Sequence, residues 1–428
     1  MNIRLRNVKI IDPGSELNER KTDLFIYDGK IRLSADGLPE PDRDITYQGL
    51  CVSPGWFDLK AFFSDPGHEY KEDLYTGAAC AQDGGFTDVL VMPNTDPVIQ
   101  NKNDIKYISS RRPEDTVRLH ATGAVTIDTK GEALTEMLDM YAAGAVAFTD
   151  GLKPVWNADI LLKTLQYLQK FQGVLMTTPS DKYLSMFGQM HEGKISTMLG
   201  MKGIPALSEE IVVMRDIQLL TYAGGKLHFS GVSTQGALRQ IEEAKQRGLS
   251  VTCDVSVAQL SYTEESLLSF DTNYKSEPPF RSEEDRLALV DAVRSGLIDA
   301  VVSSHQPQDE ESKKCEFDLA EPGVIALQTV FPMLVSELGS NNLDIIVKCL
   351  AYRPRQVLGM EVPAIREGSE ACLTLFHPDV KWIYDLSTNL SKSQNSPLLG
   401  QEQEGKALGI IAGNAAHIQD SILTQPHD

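Results

Sequence analysis

The chain has 428 residues, 42% hydrophobic and 23% charged, a composition ordinary for a soluble globular protein and long enough for one large barrel plus a smaller domain. Its formal net charge of −20 argues against nucleic acid or an anionic membrane as partner and reads as a solvated acidic surface. Six scattered cysteines without a CxxC pair argue against a disulfide framework or a cysteine zinc site and fit a reducing cytoplasm, while the first ten residues do not read as a signal peptide and no apolar run is long enough to span a bilayer.

Residues 1–52 predict short strands broken by turns. Ile3 to Ile11 alternates, Asp12-Pro13-Gly14 turns the chain, Leu24 to Tyr27 is a strand and Asp28-Gly29 is a hairpin signal. This segment is too short to bury a core alone. Residues 366–428 share its texture, with Ala371 to Phe376, Lys381 to Tyr384 and Leu408 to Ile411 as strands. The two ends are therefore expected to form one small β-sandwich that clasps a central domain spanning 53–365.

The central domain begins with a βαβ unit. Pro54-Gly55 leads into the apolar run Trp56 to Leu59, Tyr75 to Gln82 suits a helix ended by Gly84-Gly85, and Phe86 to Met92 is a second buried strand. Further strands are expected at Arg118–Ala124, Ala145–Thr149, Val174–Thr177, Lys226–Ser230, Ser250–Val255 and Ala300–Ser303. Helices such as Ala158–Lys170, Glu209–Tyr222, Gln235–Arg247 and Glu283–Ser295 separate them. Short, almost wholly apolar strands suit a parallel sheet covered on both faces. Eight strand–helix units suit a closed (β/α)8 barrel; an open doubly wound sheet would carry a glycine-rich phosphate turn after its first strand, and none is present.

Several motifs resemble the dihydroorotases, metal-dependent cyclic amidohydrolases of pyrimidine synthesis. DPG (65–67), EYKED (69–73), GGFT (84–87) and MPNT (92–95) match closely, and so do HEGKISTMLG (191–200), GIPA (203–206), Phe317 to Thr329 and NSPLLG (395–400). The resemblance covers nearly the whole chain and implies a zinc site at the strand ends. There the chain departs from the pattern. Lys60 and Phe62 stand where the family has two metal-binding histidines, and Ser64 where it has the arginine that holds the substrate carboxylate. Asp150 matches the aspartate at the metal-bridging position in one bacterial branch. Thr178 and Gly231 fall in histidine slots, Glu277 in that of an asparagine, and Ser304 in that of the catalytic, metal-binding aspartate. Asn94 and His305 are kept, whereas Gln306, Gln308 and the stretch SVAQL (256–260) are not the usual residues.

A zinc site needs three or four donors among His, Cys, Asp and Glu. The inferred positions offer Lys, Phe, Asp, Thr, Gly and Ser, so the resemblance implies a degenerate member with no cofactor, no activated water and no general base. Bland roles accompany this. Phe62 is expected to plug the vacated site, His305 to be a hydrogen-bonded strand-end residue, and His228 to be a satisfied core histidine. His68 is read as surface, and His377, His417 and His427 as sandwich or tail residues. Asn94 is read equally as a loop cap or a substrate contact, with Ser64, Asn94, Glu277 and His305 as the equivalents of the substrate pocket. Lys60 is expected to pair with Asp150 in place of the metal charge, the alternatives being a snorkelling lysine or a Schiff-base lysine. The functional expectation is a non-catalytic, cytoplasmic dihydroorotase-like homodimer, a partner of aspartate carbamoyltransferase as in degenerate members of such families. The alternative is an active cyclic amidohydrolase with an altered site.

Overall fold

The computed structural model describes residues 1–111 and 116–423; His427 lies outside them. Eight parallel strands form the central sheet: β1 (Trp56–Ala61), β2 (Phe86–Val91), β3 (Arg118–Gly123), β4 (Ala147–Phe148), β5 (Leu175–Thr177), β6 (Leu227–Phe229), β7 (Val251–Ser256) and β8 (Ala300–Val302). Each pairs with its neighbours in chain order. The ring closes where Ala61 bridges His305 and the Phe62 amide donates to the His305 carbonyl at 2.8 Å. The result is a (β/α)8 barrel, whose strand C-termini share one face.

The strands are short because both faces are covered. Phe57, Leu59, Leu90, Met92, Met176 and Val302 fill the barrel interior, and Phe62 joins that cluster at its upper end. A larger apolar cluster lies between the strands and the outer helices. Local capping explains the helix boundaries. Asp73, last residue of the EYKED motif, accepts from the Tyr75 and Thr76 amides and starts α1 (Leu74–Asp83). Ser282 caps Glu283–Ser295, whose first turn carries three acidic residues and whose end is Gly296 at φ +85°.

The chain ends build one continuous sheet of eight strands rather than two separate layers. Cys372–Tyr384 is its centre, pairing antiparallel with Cys51–Pro54 on one side and Gln401–Ala412 on the other. Ile3–Ile10 continues the sheet beside Cys51–Pro54, and the sheet owns a separate apolar cluster that includes Ile3, Leu5, Leu24, Leu373 and Ile411. Among the described residues no helix is long and apolar enough to cross a membrane.

Candidate functional site

The strand C-termini bring Lys60, Phe62, Asn94, Asp150, Thr178, Gly231 and Ser304 to one face, as a barrel of this topology must. Their side chains do different work from the metal ligation that the family pattern implies.

Asp150 is not the partner of Lys60. One carboxylate oxygen accepts from the Val125 and Thr126 amides, each at 2.9 Å, and the other accepts from the Thr126 hydroxyl at 2.6 Å. Burial raises its pKa, and these bonds oppose the shift. The loop after β3 thus consumes the Asp150 charge. Asn94 instead holds the loop after β4: its amide donates to the Asp150 carbonyl at 3.1 Å and its oxygen accepts from the Leu152 amide at 3.0 Å. Thr178 donates to the Gly151 carbonyl at 2.6 Å. Asn94 thus braces the loop after β4 rather than capping the loop after its own strand.

Lys60 points to the opposite side of the barrel. Its ammonium is buried, 3.5 Å from the Ser230 carbonyl, and a methyl added at Gly231 would lie 3.1 Å from it. Burial lowers the Lys60 pKa, opposed by the charges of Asp254, Glu277 and Asp58. Asp254 accepts from His228 Nε2 at 2.9 Å, the Ser230 hydroxyl at 3.0 Å and the Gly231 amide at 2.6 Å. Burial works to raise its pKa, but the His228 bond, the His228 and Lys60 charges and the Gly231 amide outweigh it and hold the carboxyl low. His228, its other nitrogen 2.8 Å from the Thr252 hydroxyl, is a satisfied core histidine as expected. Asp58 is bound by the amide and hydroxyl of Ser303, and burial pushes its pKa up to about 7 against those bonds. Glu277 sits in the concavity of the mouth yet keeps access to solvent.

Asp58, Asp254 and His228 form the polar core of the barrel, and the sequence reading gave none of the three a part at the site. The signal was available: each is a polar residue inside an otherwise apolar strand, where burial demands a partner.

The metal positions implied by the family do not fit a divalent cation. Lys60 presents an ammonium, Phe62 a packed ring, Gly231 no side chain and Thr178 a hydroxyl already donating. Ser304 is half-buried at φ +47°, and it is the preceding Ser303 that bonds Asp58. A small pocket beside Thr178, Gly231, Glu277 and Arg281 leaves about 10 Å³, room for about one water. Larger hollows, of about 530 and 560 Å³, lie elsewhere, one lined by Arg118, Glu370 and Cys372 and the other by Arg6, Tyr47 and Asp379.

One other donor group invites a metal reading: Glu72, Cys80 and His305, within 4.8 Å of one another. Its hydrogen bonding is complete without a cation. His305 Nδ1 accepts from the Ala326 amide at 3.2 Å, so Nε2 carries the proton and donates to Glu72 at 3.3 Å. Glu72 also accepts from the hydroxyls of Thr76 and Ser391 and from the Lys392 amide. Burial holds the Cys80 thiol protonated. His305 is thus the hydrogen-bonded strand-end residue the sequence suggests, turned toward α1 rather than into a substrate pocket. Ser64 is half-buried on the loop after β1, its carbonyl accepting from the His68 amide.

A family model described as "Dihydro-orotase-like" matches residues 49–237. The chain is 37% identical to a protein named Dihydroorotase from Geotalea daltonii, covering 98% of this chain and 100% of that one. It is equally similar to a Dihydroorotase from Pelotomaculum thermopropionicum, covering 99% and 100%. The chain belongs to the dihydroorotase family. Among solved structures, the L-hydantoinase (dihydropyrimidinase) of Arthrobacter aurescens superposes with a TM-score of 0.84 at 21% identity, covering 97% of this chain and 96% of that one. A D-hydantoinase from Thermus sp. gives 0.82 at 18%, covering 99% and 97%. At such identity the likeness establishes the barrel-plus-sheet fold alone. The dihydroorotase motifs retained here now have structural tasks. Asn395 of NSPLLG accepts from the Gln308 amide and donates to the carbonyls of Gln306 and Gly323, locking the loop after β8. Arg281 bonds Ser233, two residues after Gly231, and His191 of HEGKISTMLG.

Proposed function

We propose that this dihydroorotase-family chain does not hydrolyse cyclic amides and serves as a non-catalytic partner, with aspartate carbamoyltransferase the partner that the family resemblance implies. One observation carries the first part: Lys60 places a buried ammonium at the junction of β1 and β6, where the family pattern calls for metal ligands. A cation-bearing side chain there opposes a second, divalent cation by direct repulsion. The capped carboxylate of Asp150 and the narrowness of the pocket beside Gly231 support the same reading. Retention of scaffold motifs that lock the loops supports the second part, because a partner surface requires those loops held in place.

The names of the relatives favour a second reading, an active dihydroorotase with an altered site, since 37% identity extends along the whole chain. Assay of dihydroorotate hydrolysis with added zinc separates the two. The expected result is no turnover above a protein-free control, together with co-elution with aspartate carbamoyltransferase in gel filtration. Turnover that scales with protein concentration overturns the non-catalytic reading, and independent elution overturns the partner.

A further inference from the structure

The hollow of about 530 Å³ lies between the barrel and the terminal sheet. Arg118, the first residue of β3, is its barrel wall, so the hollow sits at the strand N-termini, opposite the face described above. Asp88, buried in β2, accepts from Arg355 at 2.5 Å, from the Thr87 hydroxyl at 2.8 Å and from Arg118 Nε at 3.1 Å, with His120 Nε2 at 2.9 Å. Arg355 is itself buried and already matches the Asp88 charge. Arg118 is therefore a second guanidinium on one carboxylate, pinned through Nε. Among the described residues its terminal nitrogens meet only the Cys372 sulfur, at 3.8 Å, a weak contact. Arg366 lines the same hollow and repeats the arrangement: its Nε donates to the Ser369 hydroxyl at 3.1 Å, and the rest of its guanidinium has no partner among the described residues. Glu361 and Glu370 line the hollow too, and the Glu370 carboxylate stands 3.6 Å from where a side chain would begin at Gly413. Among the described residues neither glutamate forms an ion pair with either arginine; the carboxylate that holds Arg118 is Asp88.

Two guanidinium ends and two carboxylates thus share one concavity without pairing with each other. An anion alone would meet the glutamates, and a cation alone the arginines. A ligand that carries both charges satisfies all four. The volume falls in the range of small-molecule sites, which favour boundaries between domains. Pinning each Nε leaves the outer edge of the guanidinium oriented, so little freedom is lost when a carboxylate docks on it. We infer that this hollow binds a small zwitterion of the amino-acid or dipeptide class, its carboxylate on the terminal nitrogens of Arg118 and Arg366 and its ammonium on Glu361 and Glu370. Barrel and terminal sheet both line the site, so an occupant bridges them and stabilises the folded chain. The site stands apart from the strand C-termini and does not depend on whether the chain hydrolyses a cyclic amide.

Ligand-observed nuclear magnetic resonance titration of the full chain tests it. The probes are four neutral zwitterions of increasing charge separation, glycine, L-glutamine, 4-aminobutyrate and glycylglycine, with acetate and propylammonium as single-charge controls. At least one zwitterion is expected to saturate with a Kd below about 5 mM, and to bind at least about fivefold more tightly than either control. Arg118→Ala and Glu370→Gln are each expected to weaken that binding at least about fivefold. Where Arg118→Ala does not fold, Arg366→Ala takes its place, since that side chain bonds only Ser369 among the described residues. The same zwitterion is expected to raise the Tm of wild type and not that of Glu370→Gln. No saturation by any of the four up to about 5 mM, a control that binds as well as the zwitterions, or smaller losses in the variants overturns the inference.

Discussion

At Gly231 the backbone lies at φ +86° and an added methyl would approach the Lys60 ammonium to 3.1 Å. Gly231→Ala is therefore expected to destabilise the chain by about 1–2 kcal/mol from the left-handed conformation alone, and further from the contact; urea unfolding reads the loss. Asp58 supplies a pH test. Its folded pKa is raised to about 7 by burial, well above that of an unfolded aspartate. The folded state therefore holds the proton more tightly. The stability this contributes is complete below about pH 4 and is lost as pH rises through about 7. Asp58→Asn, which cannot titrate, is expected to gain stability relative to wild type between pH 5 and pH 8 in parallel urea titrations. A difference that stays flat across that window contradicts the burial of an ionisable Asp58. At this scale the sequence reveals residue types but not their partners. Lys60 and Asp150 both occupy strand ends, which made their pairing a reasonable expectation. The amides of Val125 and Thr126 had already claimed Asp150, and backbone donors carry no sequence signature. Pairing by backbone is invisible until the loop is built.

The elements themselves were legible. The helix Glu283–Ser295 and the barrel strands stand where apolar runs, caps and glycines place them, within a residue or two at each end. What escaped was how the loops after the strands are locked. Glu72, at the entrance to α1, reaches Ser391, and Asn395 reaches the loop after β8. No periodicity links residues hundreds of positions apart, so the resemblance identified these motifs without giving their task. Removing His305, which ties the end of β8 to Glu72 and the Ala326 amide, leaves a buried carboxylate short of a donor. His305→Ala is expected to cost about 2–4 kcal/mol, read by chemical unfolding. Asn395→Ala is expected to speed proteolysis within 306–323 while the far-UV circular dichroism stays unchanged.

Across the whole molecule, the barrel and the terminal sheet share one aromatic joint. Trp56, the first residue of β1, packs against Phe86, Phe331 and Phe376, with ring centroids 5.1–6.0 Å apart. Phe376 belongs to Cys372–Tyr384, the strand at the centre of the terminal sheet. The expectation that the two chain ends combine was sound because neither end can bury a core alone. That they form one continuous sheet follows from Cys51–Pro54 pairing directly with Leu373–Phe376, a register composition does not specify. Ending the chain at residue 365 would expose Trp56 and the inner face of Ile3–Ile10; such a protein is expected to aggregate or to lose its near-ultraviolet circular dichroism. Lys60, Phe62, Thr178, Gly231 and Ser304, with Asp150 capped by backbone amides, do not constitute a zinc site. Zinc content per chain tests it most directly, measured by plasma mass spectrometry on protein purified without chelator or metal-affinity tag and dialysed against zinc. Far less than one zinc per chain is expected; near-stoichiometric zinc would contradict the account and restore the hydrolase reading.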